Sequence, residues 1–152
     1  GHGDVVDTLL NANADANACD RYGRSVLHTA AERGHATILA ALVEAVPALV
    51  EGVDGSGETA LVIACERGHA SAVSVLVTSG AKVTAASDSG ETALMLAVIG
   101  KHSSAVSAFL ASCSATAKAT ALRARDARMR TALMHAALLT SVDEGEYCAE
   151  AA

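Results

Sequence analysis

Ser25-Val26-Leu27-His28-Thr29-Ala30-Ala31-Glu32-Arg33-Gly34-His35 decides the fold, because the stretch returns twice in register. Its second copy is Thr59-Ala60-Leu61-Val62-Ile63-Ala64-Cys65-Glu66-Arg67-Gly68-His69, and its third is Thr92-Ala93-Leu94-Met95-Leu96-Ala97-Val98-Ile99-Gly100-Lys101-His102. Thr131-Ala132-Leu133-Met134-His135-Ala136-Ala137 opens a fourth. The Ser/Thr positions are 34, 33 and 39 residues apart, and Gly1-His2 stands 33 residues before Gly34-His35. A period of this length marks stacked supersecondary units.

Each repeated position has a physical reason. Ser25, Thr59, Thr92 and Thr131 precede apolar runs, where a hydroxyl accepts from an orphan helix N–H, so the pattern predicts N-caps. Leu27 with Ala30 and Ala31, and their equivalents, form one apolar stripe on a short helix, with alanine admitting a close neighbour. A second stripe follows in each unit: Val5, Val6, Leu9 and Leu10; Ile38, Leu39, Leu42 and Val43; Val73, Val75, Leu76 and Val77; Val106, Phe109 and Leu110. Gly34, Gly68, Gly80 and Asn13 fall where left-handed residues end helices. Gly23, Gly57 and Gly90 fall in the turns ahead of the caps. Met129 occupies that glycine position in the last copy, where a left-handed turn costs about 1–2 kcal/mol, so the turn is expected to be remodelled.

These residues resemble the ankyrin repeat: Asp20, Gly23, Ser25, Leu27, His28, Ala30, Ala31, Gly34 and His35 match its pattern within one copy. Ala14-Asp15-Ala16-Asn17-Ala18 supplies the end of the copy before it. The resemblance implies an all-α, ankyrin-repeat α-solenoid of stacked helix-turn-helix units joined by β-turn or hairpin fingers. The expected organisation is a single array over 1–152: a partial repeat at 1–19, repeats at 20–53 and 54–86, a repeat with an insertion at 87–125, and a degenerate or incomplete repeat at 126–152. The proline of the family pattern is replaced by Val26, Ala60, Ala93 and Ala132, giving up a residue pre-set for the first helical position. The insertion, Ser112 to Leu122, reads as either a longer loop or an extension of the second helix. The apolar pattern fades after Leu139, leaving an acidic, solvated tail at Asp143, Glu144 and Glu146. Lacking an initiator Met and starting inside a repeat, the chain reads as a fragment whose array continues at its ends.

Composition sets limits on function. Of 152 residues, 51% are hydrophobic and 35 are alanine, yet only 2% are aromatic, so the interior must be built from small side chains. Few aromatics and a net charge of −6 argue against a nucleic-acid surface, which needs stacking platforms and a basic field. Mean hydropathy is +0.34, but Glu44 and Pro47 interrupt one apolar stretch and serines and threonines fill the other, so no membrane span is expected. Cys19, Cys65, Cys113 and Cys148 are widely spaced without a C-x-x-C pair, which favours a reducing intracellular setting, cytoplasmic or cytoskeletal.

Candidate chemistry is sparse. Gly52 to Thr59 approaches the phosphate-loop pattern, but Glu58 stands where the lysine belongs and the stretch lies in the repeat frame. His35, His69 and His102 recur one repeat apart, about 10 Å at helix-packing distance, too far to share one ion. The resemblance implies instead that they bond backbone at repeat junctions. Cys65 stands at an alanine position and reads as a small buried thiol. No catalytic, cofactor or metal residue is assigned, and no cofactor is expected.

What remains is surface recognition. Position by position, the resemblance places partner contacts at turn tips and exposed first-helix faces: Arg21, Tyr22, Arg24, Glu32 and Arg33; Gly55, Ser56, Glu58, Glu66 and Arg67; Asp88, Ser89, Glu91 and Ile99; Ala127, Arg128 and Arg130. Tyr22 between Arg21 and Arg24 has the composition of binding hot spots. Lys118, Arg123, Arg125, Arg128 and Arg130 form one basic cluster, read as a hydrated loop with docking of an acidic segment as the alternative. The expected function is a non-catalytic protein-binding or scaffolding module. A structural part of a large assembly such as the cytoskeleton, or a regulatory repeat region of an enzyme with its catalytic domain elsewhere, are the alternatives.

Overall fold

The computed structural model describes residues 2–143. Nine α-helices follow one another among them: α1 (His2–Asn11), α2 (Val26–Glu32), α3 (Ala36–Ala45), α4 (Ala60–Glu66), α5 (Ala70–Thr78), α6 (Ala93–Ile99), α7 (Ser103–Ser112), α8 (Ala115–Arg123) and α9 (Ala132–Asp143). A 3-10 turn, Pro47–Glu51, separates α3 from the next finger and buries Leu49 and Val50. No helix of the described residues is long and apolar enough to cross a membrane. The tail carboxylates Glu144 and Glu146, with Cys148, lie outside the described residues.

Short helices of this kind are marginal alone and are held by packing. The first helices stack in one row, α2 on α4, α4 on α6 and α6 on α9, and the second helices in another, α1 on α3, α3 on α5 and α5 on α7. The pairs α2/α3, α4/α5 and α6/α7 join the rows. The core between them is Leu27, Ala30, Ala31, Leu39, Leu42, Leu61, Ala64, Leu76, Leu94, Ala97 and Phe109, among others. Small residues dominate it, and Phe109 is its one aromatic residue.

The first helices close by a shared device. Gly34 and Gly68 are left-handed (φ 68° and 76°), with His35 N–H donating to Ala30 O and His69 N–H to Ala64 O. Side-chain-free residues are also required there sterically, since an added Cβ would come 2.6 Å from the His69 ring at Gly34 and 2.5 Å from the His102 ring at Gly68. In the third unit the glycine comes one residue early. Gly100 stays right-handed, and Lys101 takes the left-handed turn (φ 57°) while His102 N–H still reaches Ala97 O.

Three expectations need correction. The turn at Met129 is not remodelled: Met129 adopts φ 63°, with its N–H donating to Asp126 O, as Gly23 does to Asp20 O. The insertion is neither a loop nor a continuation of α7. Cys113 breaks the helix in extended conformation, and Ser114 caps α8, accepting from Ala117 N–H at 3.3 Å. The hydroxyl caps are also uneven. Thr59 and Thr131 accept at 3.4 Å from Val62 and Met134 N–H, but Thr92 Oγ1 is buried without a partner among the described residues. At Ser25 the imidazole intervenes: His28 Nδ1 accepts from Ser25 N–H at 3.2 Å and lies 2.8 Å from its hydroxyl.

Candidate binding surface

Four fingers project ahead of the first helices, and an aspartate builds three of them. Asp20 Oδ1 accepts from Tyr22 and Arg24 N–H, Asp54 Oδ1 from Ser56 and Glu58 N–H, and Asp126 Oδ1 from Arg128 and Arg130 N–H, all at 2.8–3.0 Å. In the third finger Ser87 replaces the aspartate, with its hydroxyl 2.7 Å from that of Ser89. Single antiparallel bridges close the first three, Cys19 to Ser25, Val53 to Thr59 and Ala86 to Thr92. The glycine-rich stretch from Gly52 to Thr59 is therefore the second finger.

Histidines tie neighbouring units together. His69 Nε2 donates to Glu32 O at 3.0 Å and His102 Nε2 to Glu66 O at 2.9 Å, the backbone role the resemblance implies. Buried His28 reaches Gly52 O at the end of its own unit and Glu58 O in the next, both at 3.1 Å from Nε2. The first two fingers also touch directly, through Gly55 N–H to Tyr22 O at 2.9 Å.

The first finger sets two guanidinium groups against one aromatic ring. Arg21 Cζ lies 4.9 Å and Arg24 Cζ 5.3 Å from the Tyr22 ring centroid, within cation–π range, and Tyr22 is 56% exposed. Arg24 is held from below by Asp20 at 3.3 Å and Glu32 at 3.0 Å, and Glu32 in turn takes Arg67 from the next unit at 3.3 Å. Hydrogen bonds from Arg24 and Tyr22 hold the Asp20 carboxyl below its ordinary range, with the Arg24 N–H the strongest influence. The predicted contacts Arg24, Glu32 and Arg67 are thus one ion-pair chain supporting the ring, whereas Arg21 flanks the exposed tip. Arg33 is exposed beside Val6, Val26, His35 and Ile38 at the α1 end of the stack.

The next two fingers have the opposite charge. Burial pushes the Glu58 carboxyl up, and Glu66, Asp54 and Asp88 add to this while Arg67 opposes it. Ser56, Glu66, Asp88 and Ser89 are exposed, and Ser89 donates to Glu91 at 3.1 Å. In the fourth finger Arg128 is exposed, while Arg130 is ion-paired to Asp126 at 2.9 Å. The basic cluster predicted as one loop is split: Lys118 and Arg123 ride on α8, and Arg128 and Arg130 on the finger, because the insertion is a helix.

His135 was not singled out in the sequence. It is buried, with Nε2 3.0 Å from Asp126 Oδ2, and Glu91, Asp126 and His135 offer ligand atoms within 4.8 Å of one another. Burial pushes the Asp126 carboxyl up, but donation from Arg130, His135 and Arg128 outweighs it and holds the group at about 2. Both carboxylate oxygens already accept protein donors, so the cluster serves as the lock of the fourth finger. Because His135 stands where the first copy has Thr29, no motif announces it. Elsewhere, burial pushes the Cys65 thiol up to about 12, with Cys113 adding to the effect, which suits an inert core residue.

The comparisons with known proteins agree with this geometry. The family profile described as ankyrin repeats (three copies) matches residues 1–87, more than half of the chain. The chain belongs to the ankyrin-repeat family. It is also 39% identical over 84 residues to the nuclear factor NF-kappa-B p105 subunit of Rattus norvegicus, covering 54% of this chain and 9% of that protein. The chain therefore spans about a tenth of this relative's length. Ankyrin repeats generally mediate protein–protein interaction and are typically non-catalytic.

Proposed function

We propose that this repeat array is a non-catalytic, intracellular protein-binding module, cytoplasmic or cytoskeletal, that engages its partner through the finger tips and the exposed first-helix face. The observation carrying this reading is the first finger: an exposed Tyr22 with two arginine guanidinium groups against its ring, one of them fixed by Asp20 and Glu32. Rigid tyrosine and arginine anchors bind with little loss of side-chain entropy. The acidic second and third fingers, with Ser56, Glu58, Glu66, Asp88, Ser89 and Glu91, would then select a partner segment of mixed charge, acidic near Tyr22 and basic beyond it. The repeat boundaries at residues 20, 54, 87 and 126 follow the finger residues Asp20, Asp54, Ser87 and Asp126 and belong to the same proposal.

The test is capture of partners from extracts of the source cells. Replacing Arg21 and Tyr22 together with alanine should weaken capture at least about tenfold, as loss of hot-spot residues does. The thermal melt should stay unchanged, since both side chains project from the surface. Undiminished capture would overturn the reading.

A further inference from the structure

Three of the four fingers fold around a carboxylate, and the third has the same backbone without one. Asp20, Asp54, Ser87 and Asp126 stand in register, each donating its N–H to the carbonyl of Arg24, Glu58, Glu91 or Arg130 at 3.0 Å. Each in turn accepts at its own carbonyl from a left-handed residue, Gly23, Gly57, Gly90 or Met129 (φ 63–78°), at 2.8–3.1 Å. In the aspartate fingers one carboxylate oxygen also takes the N–H groups two and four residues on. The equivalent groups in the third finger, Ser89 and Glu91 N–H, are held by the same turn, yet among the described residues no side chain accepts from them. The Ser87 hydroxyl lies 2.7 Å from that of Ser89 and donates to Glu91 O at 3.4 Å. The second finger is the near twin: Asp54-Gly55-Ser56-Gly57-Glu58 against Ser87-Asp88-Ser89-Gly90-Glu91. Asp54 keeps both its N–H bonds with a glutamate four residues on, so this register accommodates an anion without an arginine in the place of Arg24 or Arg130.

We propose that Ser87 is a phosphorylation site, and that its phosphate takes the place of the missing carboxylate and closes the third finger. Phosphoserine carries about −1.5 to −2 charge at pH 7 and three strong acceptor oxygens, so its bonds to Ser89 and Glu91 N–H are charge-assisted. The phosphoryl group comes from ATP, through a protein kinase that takes acidic segments. Ser87 Oγ bonds to the γ-phosphorus as the bond from that phosphorus to the β–γ bridging oxygen breaks. ADP leaves with the bonding pair, and the hydroxyl proton passes to a base on the kinase. Asp88 and Glu91 beside the serine are the charges a basic cleft would select. Ser87 is half-buried while Ala86, Asp88 and Ser89 are exposed, so a tetrahedral group has room there and the neighbouring Asp88 charge is screened by water. The base of this finger is also loosely fastened, since Thr92 Oγ1 is buried without a partner among the described residues while Thr59 and Thr131 accept from their helices. Local opening of such a segment presents its serine to an enzyme at low cost.

Two measurements test this. Fragment mass spectra of the protein isolated from its source cells, with phosphatases inhibited, should place phosphate on Ser87. In the 152-residue chain, phosphoserine installed at position 87 during synthesis should slow amide hydrogen exchange at Ser89 and Glu91 by about tenfold or more, toward the rates of Ser56 and Glu58 in the second finger. Ser87→Asp should slow the same two amides, because it restores the residue of the other fingers. Phosphoserine at position 89 adds the same charge without reaching the vacant acceptor place, and should leave the Glu91 amide unchanged. Protein from the cells that carries no phosphate on Ser87, or carries it on Ser89 alone, would overturn the proposal. So would unchanged exchange with phosphoserine at position 87, or equal slowing of the Glu91 amide from either position.

Discussion

Leu76 and Leu9 hold the same place in their helices and differ only in their surroundings. α5, which carries Leu76, packs against α3, α4 and α7, whereas α1, which carries Leu9, packs chiefly on α3 and leaves Leu9 half in solvent. The same sequence pattern therefore yields a core residue in the middle of the stack and a surface residue at its end. In a quasi-one-dimensional array, burial is conferred by neighbouring units, and stability is a sum of unit and interface contributions.

The sharpest way to break this comparison is to truncate both side chains. Leu76→Ala should cost about 2–5 kcal/mol in urea denaturation, as removal of an enclosed leucine does. Leu9→Ala should cost under about 1 kcal/mol, since it is half hydrated in the native state already. Equal costs would mean that the ends are as tightly packed as the middle.

Overpacking gives a second, smaller contrast. Ala64 is fully buried at the centre of α4, so Ala64→Leu should destabilise by about 1–3 kcal/mol. The equivalent Ala136 in α9 is half-buried, and Ala136→Leu should change the melting temperature much less. A melting curve for Ala64→Leu that overlays the parent's would show no tight contact there.

Much of this was legible because it repeats. The helix pairs, the glycine turns and the junction histidines each recur at fixed spacing, and one copy explains the next. What was hidden depends on contacts between distant residues. The turn at Met129 survives without glycine because Asp126 gathers two backbone N–H groups, the Arg130 guanidinium and the His135 ring, and His135 lies outside the repeated pattern. Arg24 and Arg67 read as exposed contacts from sequence, but Glu32 joins them, lying 8 residues from one and 35 from the other. α8 was ambiguous because its alanines favour a helix while the interspersed serines and threonines serve turns and caps, and here Ser114 caps a separate helix.

The fourth finger offers the smallest and most local effect. Asp126 is held at about 2, below the ordinary carboxylate value near 3.9 of an unfolded chain. A depressed acid stabilises the folded state above its unfolded value and loses that contribution as pH falls through its folded one. Between about pH 4 and pH 2, backbone amide signals of α9 should therefore lose protection before those of α4 and α5. Asp126→Asn should abolish the acid-dependent part of this difference. Simultaneous loss along the whole stack would contradict a local lock.

Partner binding across the finger tips can be read out with a photoreactive side chain. Placed at position 22 in the first finger, and in a parallel sample at Thr78 on the second-helix side, it is irradiated in extracts of the source cells and the adducts are identified by mass spectrometry. The account predicts a small set of proteins crosslinked reproducibly from position 22 and few or none from position 78. Equal crosslinking from both positions to the same abundant proteins would contradict it and favour packing within a larger assembly.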